Sequence, residues 1–345
     1  MFAGRLASSR SHLEAVLALY DPNSHRPFVE QAGMDVVSQA NLGNVLFCLG
    51  FSDQALASSE AAIAEARRLA HLPSLAMTLA WGTALLSHGE DNAALGERAD
   101  QLVELATEQS FLHWRAEGTI YRGWVKVKNG DLAEGISLLH SGLAAYRATG
   151  SKVWMPHFVA FLAGACEIAG QVEEGVTLLD DALQIVERTG ERWFAAELNR
   201  HKGLLLLQQG HTDPADELYR KALSIAVEQG AKLWELRAAV SLARLRRDQG
   251  RRAEAHDLLA PSMTGLPKAS PHPISKRQRR CSTSSGDSGY AFGPHNPVGG
   301  EGPEVARLVR HALNRGNVLE GPLRDRIADG GHPGCQEQIA TQARR

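Results

Sequence analysis

The sequence predicts an all-α protein, a right-handed solenoid of stacked helix hairpins. The first observation is a set of seven glycines spaced twenty residues apart: Gly130, Gly150, Gly170, Gly190, Gly210, Gly230 and Gly250. A fixed period of this length is typical of repeat arrays. The second observation is that residues 131–149 and 171–189 carry apolar side chains at steps of three and four and contain no proline, which is a helical pattern.

Glycine readily adopts the left-handed conformation just past the end of a helix, so each interval predicts one helix and its stop. Two such helices form a hairpin, and the structural unit is about forty residues long. Small residues recur at three places in this unit, where they let the two helices cross closely. The three series are Gly43, Gly82, Gly123, Ala163, Gly203 and Ala243; Ala55, Ala94, Gly135, Gly175, Ala215 and Ala255; and Ala62, Gly142, Ala182 and Ala222.

This arrangement of small residues resembles the tetratricopeptide repeat (TPR), although the usual unit of that family is shorter, at about 34 residues. The second hairpin departs from the pattern. Its turn glycine is displaced to Gly89, and Gln101 stands where a small residue is expected.

A large aromatic residue recurs near the start of the first helix in four hairpins: Trp114, Trp154, Phe194 and Trp234. Such rings contribute strongly to packing, so one interpretation is that each closes the junction between repeats. The other interpretation is a row of stacking platforms along a groove. The same spacing serves both.

Composition favours a protein that works in a reducing cytoplasm. Four cysteines lie far apart with no paired spacing, which predicts neither a disulfide framework nor a metal site. Residues 1–262 hold 25 Lys and Arg against 32 Asp and Glu, a mildly acidic balance that argues against nucleic acid as the ligand of the repeats. No apolar stretch is long enough to predict a membrane span.

The pattern divides the chain into three parts. Residues 1–20 predict the second half of a hairpin whose first helix is missing, and its exposed apolar face makes self-association through this truncated end an option. Residues 34–261 predict the TPR-like repeat domain. Residues 262–345 are rich in Pro, Gly and Ser, have no helical period and predict a disordered tail.

The basic run at residues 276–280 of this tail has a nucleic-acid or nuclear-import interpretation, but a solvated charge run is the favoured one. A one-nucleotide shift of frame after Ser262 permits codons for a string that looks like a natural final helix. The tail is therefore interpreted as a possible frameshift product.

Phrases such as "HLEAVLALYDP", "ATEQSFLHWRAEGTIYRGW" and "KLWELRAAVSLARLRRDQG" resemble the C-terminal repeat region of bacterial adenylate/guanylate cyclase and AAA ATPase type signalling proteins. The resemblance covers residues 4–261, about three quarters of the chain. It implies a sensor and docking region that follows a cyclase or DNA-binding domain and an ATPase. The catalytic parts of that family have no counterpart here.

No catalytic, cofactor or metal site is predicted. The sequence contains no phosphate-binding glycine loop, no paired zinc histidines and no nucleophile elbow. The remaining candidate is a concave groove lined by the first helix of each hairpin. Repeat offsets place six charged or polar side chains there: Glu117, His157, Glu197, Arg200, Arg237 and Arg244. A mixed-charge groove suits a protein or peptide partner, and a plain solvated helix face is the alternative.

The leading hypothesis is therefore a non-enzymatic scaffold or regulatory module, a fragment of a cyclase/ATPase-type signalling protein. One alternative is a ligand- or peptide-sensing domain of an ATP-dependent transcriptional regulator. Another is a truncated gene product with no function of its own.

Overall fold

The computed structural model describes residues 1–19 and 34–264, and every regular element in these two ranges is an α-helix. Residues 20–33 and the predicted tail beyond Thr264 lie outside the described residues. The helices are α1 (Leu6–Leu19), α2 (Met34–Cys48), α3 (Ser52–Arg68), α4 (Leu72–Ser87), α5 (Asn92–Glu108), α6 (Leu112–Lys128), α7 (Leu132–Ala148), α8 (Met155–Ile168), α9 (Val172–Thr189), α10 (Ala195–Gln208), α11 (Thr212–Gln229), α12 (Lys232–Asp248) and α13 (Arg252–Thr264). The predicted all-α hairpin array is confirmed.

The periodic glycines end helices as the sequence predicts. All seven have positive φ, from 65° at Gly230 to 95° at Gly130. After α6 the N–H of Asp131 reaches back to the carbonyl of Lys126 at 2.9 Å, a bond that satisfies one of the carbonyls left free at a helix end.

The same backbone conformation occurs where the sequence has no glycine. Ala70 has φ of 51° and stands twenty residues after Gly50, and Ser110 has φ of 56° and stands twenty residues before Gly130. Gly89, the predicted displaced turn glycine of the second hairpin, is not among the residues with positive φ. Two residues later, Asp91 caps the start of α5, because its carboxylate accepts a hydrogen bond from the N–H of Ala94 at 2.9 Å.

Small residues allow the close crossing of helices within a hairpin. A Cβ added at Gly123 on α6 would lie 2.9 Å from the carbonyl oxygen of Gly135 and from the N–H nitrogen of Leu139, both on α7. A Cβ at Gly135 would lie 2.8 Å from the backbone nitrogen of Val127. The two helices therefore meet backbone to backbone, which only glycine permits at both positions.

The first helices of the hairpins form the inner layer. Each of α2, α4, α6, α8, α10 and α12 packs on the next member of this series. We call these the inner helices, and the axis is the region that they enclose. In addition α2 contacts α12, so the first and last hairpins meet. The array is therefore closed on its inner side.

Helix α1 packs on α2. It buries Leu6 and directs Leu13 and Leu17 at the core, while Val16 and Leu19 are 40% and 78% exposed. Self-association through this face stays a prediction.

Candidate functional site

Aromatic rings from distant parts of the chain meet at the axis. We call Phe2, Phe47, His88, Trp154, His157, Trp193, Phe194 and Trp234 the axis cluster. His88, which follows the last residue of α4, contacts five of these rings. Its ring centroid lies 5.4 Å from Phe47, 5.0 Å from His157, 6.4 Å from Trp193, 5.7 Å from Phe194 and 5.1 Å from Trp234.

Three of the four periodic aromatics belong to this cluster. Trp154, Phe194 and Trp234 are at most 6% exposed. Trp114 is only partly buried and packs on Phe111. In this conformation the three buried rings pack on other rings of the protein and offer no free face for stacking.

A buried ion network crosses the axis beside these rings. Glu197 on α10 accepts from Arg200 at 2.9 Å and from Arg237 on α12 at 3.1 Å. Arg237 also donates to the backbone carbonyl of His88 at 2.9 Å, and its guanidinium lies 5.2 Å from the centre of the Trp234 ring. Burial acts to raise the pKa of Glu197, but the two arginines outweigh it and the pKa is lowered. The network thus joins the end of α4 to α10 and α12.

His157 lies at the centre of the axis cluster with no exposed surface. Neither ring nitrogen has a hydrogen-bond partner within the described residues. Burial lowers its pKa to about 3, so the ring is neutral at ordinary pH. Burial also holds the pKa of His88 well below 6.5, with a further contribution from His157.

Glu117 on α6 is a buried carboxyl group without a compensating cation. It is 2% exposed, and its Oε1 has no hydrogen-bond partner among the residues described. His113 Nε2 lies 3.8 Å from Oε2. Burial raises the pKa of Glu117 to about 8, so the group is mostly protonated at neutral pH.

The six groove candidates thus separate in the structure. Glu197, Arg200 and Arg237 come together in the ion network, and His157 contacts His88 beside it. Glu117 lies on α6, and Arg244 is half-buried two turns beyond Arg237 on α12. Because Glu117, His157, Glu197 and Arg200 are each at most 8% exposed as whole residues, a partner reaches them only if the array opens. Partner binding at these positions stays a prediction.

His88 and Glu191 contribute to the axis without a signal in the repeat pattern. His88 lies in the degenerate second hairpin and outside the periodic positions. Glu191, in the loop before α10, accepts from the backbone N–H of Trp154 at 3.0 Å and from the indole N–H of Trp193 at 3.0 Å. It therefore fixes two rings of the axis cluster.

Within the described ranges, no group of three or more His, Cys, Asp and Glu side chains has the arrangement of a metal site. Among the helices of those same ranges, none is both long and apolar enough to cross a bilayer.

Part of the helical array matches a known repeat family, and most of the chain matches one curated protein. Residues 158–228, from α8 to α11, match the tetratricopeptide repeat family. An uncharacterised protein of Rhizobium meliloti (strain 1021) is 26% identical over 246 residues, which are 70% of this chain and 24% of that protein. The chain therefore spans about a quarter of the length of this curated relative.

Solved structures share the fold at low identity. The apo form of RapI has a TM-score of 0.50 and 10% identity, over 75% of this chain and 89% of that one. A STAND (signal transduction ATPase with numerous domains) protein of Pyrococcus horikoshii with a tetratricopeptide repeat sensor has a TM-score of 0.41 and 12% identity, over 76% and 43%. The RapI likeness supports a TPR-like helical-repeat fold.

Proposed function

We propose that this chain is a non-enzymatic TPR-like regulatory module that binds a protein or peptide partner as part of a cytoplasmic signalling system. The observation that carries the proposal is the contact between Arg237 and the carbonyl of His88, which joins the last hairpin to the second one. A binding event that breaks or strengthens this contact would change the relative position of the two ends of the array. Helical-repeat arrays, whose units contact mainly their neighbours, are suited to such changes of curvature.

The finer proposal is that the module belongs to a larger protein of the cyclase/ATPase type. The resemblance of residues 4–261 supports it, as does a relative about four times as long as the matched segment. In such a protein the repeats would contact a catalytic region elsewhere in the same chain and pass on to it the binding of other partners. We infer that this catalytic region is itself one of the natural partners of the repeats.

Binding in trans tests this proposal. The part of the Rhizobium relative outside the 246 matched residues is purified and titrated with this chain by calorimetry. The relative's own matched region is the positive control. We expect both repeat regions to bind with about micromolar affinity, as transient interdomain contacts do. Binding by the relative's region but not by this chain would contradict the proposal and favour a truncated product without function.

A sensor of a small ligand or peptide is the second candidate, as part of an ATP-dependent transcriptional regulator. The axis favours it, because His157 is a buried polar side chain whose ring nitrogens both lack partners among the described residues. Such groups are uncommon in folded proteins and occur often at functional sites. Comparison of ligand-induced shifts in melting temperature between the chain and its His157→Phe variant would separate this candidate from the first.

A further inference from the structure

The first residues of the chain lie in the axis of the array. We call Met1–Arg5 the N-terminal segment. The carbonyl oxygen of Phe2 accepts hydrogen bonds from the backbone N–H groups of Arg192 (2.7 Å) and Trp193 (3.1 Å), in the loop between α9 and α10. Leu6, which follows the segment, belongs to the same buried cluster as Val45 of α2. The segment is thus held by the loop between α9 and α10.

The two N–H groups that hold Phe2 lie in the loop just before α10. Arg192 and Trp193 precede α10, which begins at Ala195, so their N–H groups have no acceptor within that helix. The carbonyl oxygen of Phe2 lies in a turn closed by the hydrogen bond from the N–H of Gly4 to the carbonyl of Met1 (2.8 Å), and it satisfies both of them. Recognition of this kind reads the backbone and is independent of the side-chain sequence.

The Phe2 side chain supplies a second contact. Its ring meets the Trp154 ring edge to face with centroids 5.8 Å apart. Trp154 has a left-handed backbone, with φ of 67°, which is strained for an aromatic residue. The hydrogen bonds of Glu191 to Trp154 and Trp193 stabilise this conformation. The wall that receives the aromatic ring is therefore fixed by the surrounding structure.

Gly4 supplies a third requirement. Its φ is +76°, and an added Cβ would lie 2.7 Å from Nε2 of Gln229 on α11. Gln229 is itself held by a hydrogen bond from Nε2 to the carbonyl of Arg192 at 2.8 Å. Any other residue at this position would meet backbone strain, and the Gln229 side chain would have to shift to admit it. The site therefore selects an aromatic residue followed, two positions later, by glycine.

We propose that the surface formed by Trp154, Arg192, Trp193 and Gln229 is a recognition site for a peptide of the type aromatic, small, glycine, and that the N-terminal segment occupies it in cis. A partner segment of the same type displaces it. This deepens the proposed function, on which it rests, because it names where a partner enters and what the partner carries.

The N-terminal segment is attached lightly enough to be displaced. Ala3 and Arg5 are exposed and Phe2 and Met1 are only partly buried. Its connection to α1 gives it a local concentration of about millimolar, as for other short tethers. A free peptide at micromolar concentration therefore competes poorly with the unaltered chain, and the site becomes measurable when the segment is weakened.

The experiment uses the full chain, its F2A/G4V variant and an R5A control. A fluorescent nonapeptide with the sequence of residues 1–9 is titrated by anisotropy, beside peptides altered at Phe2 or Gly4. Hydrogen exchange at the amides of Arg192 and Trp193 is measured in parallel. We expect about tenfold or tighter peptide binding to F2A/G4V than to the unaltered chain or R5A, faster exchange of the two amides in F2A/G4V, and restored protection on peptide addition.

Three results would overturn the proposal. The first is failure of the peptide to bind F2A/G4V. The second is equal binding of the altered peptides. The third is an F2A/G4V variant in which all inner helices exchange faster, because the segment would then be a structural part of the core. None of these results involves the Rhizobium relative, so the proposed function can fail or survive separately.

Discussion

The guanidinium of Arg237 donates from Nη1 to Oε2 of Glu197 at 3.1 Å, between residues forty positions apart in the chain. That separation is one repeat, so the two residues occupy the same position on neighbouring inner helices. The second amino group of Arg237 reaches the carbonyl of His88, 149 residues earlier. One side chain thus joins neighbouring repeats and closes the array.

Arg237→Met should therefore lower stability well beyond a typical surface change. The substitution keeps the apolar stem but leaves Glu197 with Arg200 alone and the His88 carbonyl without this donor. We expect a loss of about 3 kcal/mol in the free energy of unfolding, measured in urea. Arg247→Met, at an exposed site on the same helix, should change it by less than about 0.5 kcal/mol. Equal effects of the two variants would show that the network does not hold the array.

The buried carboxyl group of Glu117 should make the folded protein less stable as the pH rises. The pKa of a glutamate carboxyl group is ordinarily 4.5, and the pKa of Glu117 in the folded protein is about 8. Below about pH 4.5 the carboxyl group is protonated in both the folded and the unfolded protein. Between about pH 4.5 and about pH 8 only the unfolded protein loses this proton, so the free energy of unfolding falls by about 1.4 kcal/mol per pH unit. Glu117→Gln should remove this part of the decline between about pH 5 and about pH 8. Parallel stability curves for the two proteins would rule out a neutral, buried Glu117.

The buried ring of His157 should make the folded protein less stable as the pH falls, the opposite of the effect of Glu117. Its pKa falls from 6.5 to about 3 on folding, so the unfolded state alone gains a proton as pH drops through that window, and stability is lost. His157→Phe should stabilise the protein at about pH 5 and reduce its acid sensitivity, with His88 supplying what remains. The exposed His140→Phe is the control. An unchanged acid slope in His157→Phe would contradict the buried position of this ring.

Gly123 and Gly96 should respond in opposite directions to alanine. At Gly123 the new Cβ would meet two backbone atoms of α7 at 2.9 Å, and we expect destabilisation of about 2 kcal/mol or more. At Gly96, within α5, the nearest atom is a Val125 methyl at 3.5 Å, and the better helix former should stabilise by about 0.5–1 kcal/mol. Thermal unfolding of both variants decides this, and a stable Gly123→Ala would mean that α6 and α7 are further apart.

The local parts of the fold were accessible from sequence because short-range chemistry sets them. The glycine period located the helix ends, and the small residues at Gly123 and Gly135 located a close crossing. The period missed Ala70 and Ser110, since the backbone bonds that end a helix can impose a left-handed turn on other residues. After α5, for example, Phe111 N–H reaches the carbonyl of Ala106 at 2.8 Å.

The packing at the axis could not be predicted from the sequence in the same way. Repeat offsets identified which side chains point inward, including Glu197 and Arg237, but whether an inward face is open or closed depends on contacts between the first and last repeats. His88 meets Trp234 only through that closure. The N-terminal segment joins the axis for the same long-range reason, and no periodic pattern places Phe2 there.

The most direct test of the closed array is a nuclear Overhauser measurement on the full chain with selectively labelled aromatic side chains. In the closed array the Trp234 indole should give cross-peaks to the rings of both His88 and Phe47, whose centroids lie 5.1 Å and 6.3 Å away. The Phe194 ring, 5.5 Å away and one repeat earlier, is the internal standard. A strong cross-peak to Phe194 with none to His88 or Phe47 would show that the array is open.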